Sequence, residues 1–219
     1  MKNWINEDAF VIGDTHFGHK NIIVYEPIRR SIVDETKITA DSTFSLSEEK
    51  IIENWNATVN PEDHVLHLGD FVLGGTKKIT EYAKKLNGHI HLIMGNHDSG
   101  SNAAYKNNNI DIINDIYVYD DDLTIIKRNR YSAAIIAQIN DKTIMFSHVP
   151  IIKDTRYGDQ YSQPVKELYD IFERFKCDIN VHGHIHSNIN QNETDESPLC
   201  VNASIEAINF KPIKIKQLI

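Results

Sequence analysis

Five times along this chain a short apolar run stops at a small residue, and a side chain of the kind that binds metal follows at once. Val11-Ile12-Gly13 leads into Asp14 and then His16. Leu66-His67-Leu68-Gly69 leads into Asp70, and Ile93-Met94-Gly95 into Asn96, His97 and Asp98. Met145-Phe146-Ser147 leads into His148, and Val181-His182-Gly183 into His184 and then His186. Runs this short and this apolar read as buried strands. Sites in open α/β sheets gather in the crevice at the carboxyl ends of such strands. Glycine at the end lets the backbone bend sharply and lets polar side chains crowd around one point. Five strand ends meeting at one crevice assemble a site that no single segment can build.

The strands predicted from these runs cover Ala9–Gly13, Val65–Leu68, Ile90–Met94, Thr143–Phe146 and Ile179–Val181. Between them the periodicity becomes helical. Ser45-Leu46-Ser47-Glu48 reads as a capping box ahead of the stripe Ile51, Ile52, Trp55 and Val59. Thr76–Leu86 reads as a helix stopped by Gly88. Gln163–Lys176 reads as a helix with Val165, Leu168, Phe172 and Phe175 on one face. Ala133–Ile139 and Thr143–Phe146 flank Asn140-Asp141-Lys142, a hairpin signal. Ile213–Ile215 closes the chain as alternating β, and Ser187–Ser197 reads as a loop. Strands alternating with helices, then hairpins, predict an α/β fold with a mixed sheet between helices. No repeat or long linker divides the 219 residues, so residues 1–219 are expected to form a single domain.

The residue types suit hard-to-borderline divalent cations such as manganese, iron, zinc and nickel. Asp14, His16, Asp70, Asn96, His148, His184 and His186 are too many ligands for one tetrahedral ion. They suit two ions about 3.5–4 Å apart that share a carboxylate and clamp an in-line displacement. Two ions and two aspartates, with one hydroxide between the ions, leave a site of about +1, which attracts phosphate. Metal binding lowers the pKa of water from 15.7 to about 7, so the attacking hydroxide exists at neutral pH.

Taken in order, Asp14-Thr-His16, Gly69-Asp70, Gly95-Asn96-His97-Asp98, His148 and Gly183-His184-Ile-His186 resemble the motifs of the calcineurin-like metallophosphoesterases. Asn202-Ala-Ser-Ile-Glu206 and Asn209-Phe-Lys-Pro-Ile213 are similar to the tail of small bacterial and bacteriophage members. The resemblance implies two mixed β-sheets sandwiched by helices, a four-layer α/β/β/α arrangement. It implies Asp14, His16, Asp70 and His186 at a first metal, and Asp70, Asn96, His148 and His184 at a second, with Asp70 bridging. It places His97 beside the substrate phosphate as stabiliser or general acid, with Asp98 orienting it. The expected activity is hydrolysis of a phosphodiester in a small or nucleotide-like substrate. A phosphomonoesterase using the same site is the alternative, and a metal-dead scaffold is a more distant one.

Other side chains leave choices open. Asp98 is also placed to cap a helix begun near Ser101. His67 and His182 either bond within the core or support the metal ligands. His19 is near enough in sequence to reach a substrate, while His64, His89 and His91 read as structural or exposed. Arg29, Arg30, Arg128, Arg130 and Arg156 are candidates to clamp phosphate. Tyr105, Tyr131, Tyr157 and Tyr161 are candidates to stack on a base, with packing the commoner role. Asp120-Asp121-Asp122 reads as a solvated turn. Composition then narrows the partners. With 23 basic and 31 acidic residues the net charge is −8, the wrong sign for gripping long duplex nucleic acid. The longest apolar run, Ala133–Ala137, falls far short of the roughly 20 residues of a membrane span. With only Cys177 and Cys200 and no signal-like N-terminus, a cytoplasmic location is expected.

Overall fold

The computed structural model describes residues 4–34, 36, 42–119, 123–127, 130–152, 162–187, 191–192 and 199–219. A five-stranded sheet has the order β12-β1-β2-β3-β4, from Ile213–Lys214, Phe10–Ile12, His64–His67, His89–Ile93 and Ile110–Ile113. β1 to β4 run parallel and β12 pairs antiparallel with β1. A seven-stranded sheet has the order β10-β11-β9-β8-β7-β5-β6. Its strands are Gln191–Asn192, Leu199–Asn202, Ile179–His182, Lys142–Ser147, Ala134–Ile139, Ile116–Tyr119 and Leu123–Ile126. The principal core cluster joins both sheets, with Val11, Leu66, Leu92 and Ile93 from one and Ile135, Phe146, Val181 and Val201 from the other. A second cluster on the outer face of the larger sheet takes Leu168, Ile171 and Phe172 from helix α5 (Ser162–Arg174). After the short α1 (Ile22–Tyr25), α2 (Thr43–Thr58) brings Ile51 and Trp55, and α3 (Gly75–Ala83) brings Ile79 and Tyr82, into the principal core. The expected two mixed sheets with helices are therefore present, and no described helix is long and apolar enough to cross a membrane.

Several expectations need correction. The supposed capping box lies inside α2, because that helix begins at Thr43. Ser45 Oγ donates to the Ser42 carbonyl at 3.0 Å. Glu48 instead accepts from the Gly18 amide at 2.6 Å and the Tyr82 hydroxyl at 2.9 Å. A half-buried carboxylate has more to gain from two distant donors than from one local cap. The helix near Ser101, α4 (Asn102–Lys106), is capped by Ser101 itself, which accepts from the Ala104 amide. Tyr105 is fully buried, with its hydroxyl on the Ser99 carbonyl, so it cannot stack on a ligand. The predicted loop at 187–197 contains β10, paired with β11. Ile215 starts a 3-10 turn and does not continue β12. The hairpin turn is two residues, Asn140-Asp141, with Ile139 opposite Lys142. Asn140 takes φ 56°, a left-handed value that asparagine tolerates well. Arg128, Arg156, Tyr157, Tyr161 and the 120–122 acidic run lie outside the described residues, as does the side chain of Arg130.

Candidate metal centre

The crevice forms where the two sheets end together. From the smaller sheet, β1 delivers Asp14 and His16, β2 delivers Asp70, and β3 delivers Asn96 to Asp98. From the larger sheet, β8 delivers His148 and β9 delivers His184 and His186. The first two turns stay hydrogen-bonded past the strands: Asp14 N donates to Gly69 O, His16 N to Asp70 O and Phe17 N to Phe71 O. Asp14, His16, Asp70 and His184 all hold left-handed backbone, with φ of 58°, 51°, 55° and 67°. Each such non-glycine residue costs about 1–2 kcal/mol. Four of them at one crevice is strain concentrated where function is expected. Gly95 is required by contact, because a Cβ there would strike the carboxylate and amide of Asp70. A Cβ on Gly69 would meet His148 Nδ1.

Two groups of ligand atoms result, each gathered within 4.8 Å: Asp14, His16 and His186, and Asp70, His148 and His184. Asp70 lies between them, its Oδ2 at 3.4 Å from His16 Nε2 and 3.7 Å from His148 Nε2. Its Oδ1 accepts from the His97 amide at 2.8 Å. His148 Nδ1 is 2.8 Å from the Leu68 carbonyl, so that nitrogen carries the proton and donates. His148 Nε2 is then a bare lone pair, yet it faces Asn96 Oδ1 at 2.8 Å. Two acceptors turned toward one point suit a cation held between them. His16 Nε2 and His186 Nε2 also approach each other, to 3.1 Å. Asp14 Oδ1 is buried with no hydrogen-bond partner among the described residues. The donor set therefore fits divalent metal, and all seven residues expected from sequence converge on this crevice.

Electrostatics follow from burial. Desolvation raises the Asp14 carboxyl to about 6 and lowers His184 to about 2 and His16 well below the usual imidazole value. Neutral imidazoles with free lone pairs are the form a metal takes. His186 is the exception. Burial alone would lower it, but the neighbouring Glu206 carboxylate outweighs that and raises it to about 9.

His97 is exposed at the rim, its ring 5.2 Å from that of His16 and 6.0 Å from that of His19. Asp98 is fully buried and accepts from the amides of Asp70, Phe71 and Gly95, each at 2.8 Å. It thereby fastens the turn carrying Asn96 and His97 to the turn carrying Asp70. His19 is half-buried, its ring 5.5 Å from that of His16 and 5.9 Å from that of Tyr25. His67 bonds Thr15 Oγ through Nε2 at 3.0 Å and accepts the Gly69 amide, which locks the residue between Asp14 and His16. His182 Nδ1 bonds the Gly183 carbonyl. Away from the crevice, His91 of β3 stacks under Trp4 at 3.6 Å and bonds His64 of β2, a structural role.

The pattern of strand ends does not mark Glu206, and Arg29, one of the candidate phosphate clamps, has a different task. Arg29 is 1% exposed and cannot reach a substrate phosphate. Its Nε donates to Glu206 Oε1 at 2.7 Å, and its other nitrogens donate to the Thr15 and Asp14 carbonyls at 2.9 and 2.6 Å. Glu206 Oε1 also lies 3.2 Å from His186 Nδ1. Glu206 reaches this place because Ser204 bridges Gly13 and Ile205 N donates to the Gly13 carbonyl, beside the end of β1. The only sequence hint was the 202–206 segment itself, which follows no strand-end pattern. Burial would raise the Glu206 carboxyl, but Arg29 prevails and holds it at about 2, against an ordinary 4.5. In metal-free protein this stabilisation is complete above about pH 4.5 and is lost as pH falls toward 2. It amounts to about 3 kcal/mol, about 2 of which should be gone at pH 3. Urea unfolding of wild type and Glu206→Gln at pH 6 and pH 3 checks this. The stability gap between them should shrink by that amount, and a gap independent of pH would refute it.

A family model described as calcineurin-like phosphoesterase matches residues 9–188. An uncharacterized protein of Methanocaldococcus jannaschii is 28% identical over 218 residues, covering 96% of this chain and 88% of its own. Among solved structures, a protein of unknown function from Aquifex aeolicus aligns with TM-score 0.61 and 26% identity, over 95% of this chain and 96% of its own.

Proposed function

The chain belongs to the calcineurin-like phosphoesterases, and from that membership we propose that it hydrolyses a phosphodiester in a small or nucleotide-like substrate with two divalent ions. The observation that carries the reading is the position of Asp70 Oδ2 between His16 of one ligand group and His148 of the other. Asp14, His16, His186 and Asp70 would hold one ion, and Asp70, Asn96, His148 and His184 the other. Bound there, the ions supply an ionised water at neutral pH and positive charge for the phosphoryl oxygens.

The chain's own residues do the rest. The neutral imidazoles leave their lone pairs available, and the hydrogen bond from His148 Nδ1 to Leu68 O fixes which nitrogen is offered. The His97 amide orients the Asp70 carboxylate. The His97 ring, at the exposed rim, is within reach of a substrate, and there it stabilises the phosphoryl group or protonates the leaving oxygen. Asp98 holds the His97 turn at a fixed height over Asp70. A net charge of −8 favours a compact substrate over long duplex nucleic acid. Residues 1–219 act as one domain in this reading.

Protein saturated with manganese or zinc should carry two ions per chain by metal analysis. It should hydrolyse bis-p-nitrophenyl phosphate, cyclic nucleotides or short single-stranded oligonucleotides in preference to p-nitrophenyl phosphate. Saturation at one ion would overturn the two-metal assignment. Faster turnover of the monoester would make the protein a phosphatase.

A further inference from the structure

The two ligand groups are not equivalent, and the difference lies behind the ligands. Apart from the shared Asp70, the first group has its own carboxylate, Asp14, while the second has Asn96, His148 and His184, all neutral. The imidazoles are also backed differently. His148 Nδ1 donates to a peptide carbonyl, Leu68 O. His186 Nδ1 faces a carboxylate, Glu206 Oε1, at 3.2 Å. An imidazole that donates to a carboxylate is a more basic metal ligand than one that donates to an amide. Arg29 lets that carboxylate stay ionised where it is fully buried, through an ion pair with both partners about 1% exposed or less. The same guanidinium holds the Asp14 and Thr15 carbonyls. One buried cation thus sets the backbone of one ligand, Asp14, and the electronics of another, His186.

We propose that Arg29 and Glu206 are positioning residues that make the Asp14–His16–His186 site the tighter of the two, so that the ions load in a fixed order. The inference rests on the two-metal reading above. Glu206→Gln keeps the shape of the side chain and a hydrogen-bond acceptor but removes its charge. Isothermal titration of metal-free protein with zinc should show two steps in wild type. In Glu206→Gln the tighter step should weaken 10–100-fold, the usual cost of losing such a backing group, while the weaker step stays unchanged. Two unchanged steps, a change confined to the weaker step, or equal weakening of both would overturn the proposal. Equal weakening would mark the pair as merely structural.

If the single variant fails to fold, the double variant R29M/E206Q leaves no buried charge unpaired and carries the same expectation. A measurement on wild type needs no variant. With 15N-labelled histidine, the first equivalent of zinc should move the ring nitrogens of His186 before those of His148, and the reverse order would overturn the proposal. A wild type that takes up no zinc would refute the two-metal reading itself, a result distinct from two ions bound in the wrong order.

Discussion

Asp70→Asn should lower turnover by about 10³-fold or more and leave the protein unable to hold both ions at once. A bound metal contributes several kcal/mol of transition-state charge stabilisation, and each 1.36 kcal/mol is tenfold in rate. Among the described residues, Asp70 is the one carboxylate within 4 Å of nitrogens from both groups, so its loss would touch both ions. The neutral amide is nearly isosteric, and its carbonyl oxygen can still accept from the His97 amide. The fold should therefore survive, and the loss should appear in metal content and kcat with the unfolding transition in place. Near-normal turnover with two metals bound would remove Asp70 from the bridging position.

His97→Ala should behave differently. The ring has no place in either ligand group and sits exposed at the rim, so metal content should stay at the wild-type value. Turnover should fall by about 10²–10⁴, the usual contribution of a positioned acid–base group. The loss should be smaller for a p-nitrophenolate leaving group, which needs no proton, than for an alkyl or ribose alkoxide. Equal losses on both would show that His97 stabilises the phosphoryl group and does not act as the acid. Loss of metal would put His97 among the ligands.

These two residues could be read from sequence because each follows a strand end, and a strand ending in glycine marks its own boundary. The same applies to Asp14 and His184, while His148 follows a strand that ends in serine. The architecture was less legible. None of β4, β5, β6 and β11 runs into a glycine, the mark that sets off β1, β2 and β9 even at three or four residues. The role of Glu48 is hidden from local pattern because its partners, Gly18 and Tyr82, lie 30 and 34 residues away. Arg29 and Glu206 are 177 residues apart. A lone arginine in a polar stretch reads as surface, and only the docking of the 202–206 segment beside β1 turns it into a buried cation. Local pattern thus reveals groups that face the crevice, and three-dimensional packing reveals those that stand behind it.

Each ligand group also draws on both layers of the sandwich. Asp14 and His16 come from the end of one sheet and His186 from the other; Asp70 comes from the first and His148 and His184 from the second. An ion in either position is therefore a rivet through two plates. Neither plate alone offers a full set of ligands, so a half-assembled chain would have little hold on metal, and capture would wait for the sheets to dock. Ions that bind only the docked form add RT ln(1 + [L]/Kd) to its stability, about 2.7 kcal/mol at a hundredfold excess over Kd. With metal bound, the crevice would thus also be a late fastener in assembly, closing only on chains whose two halves have met correctly.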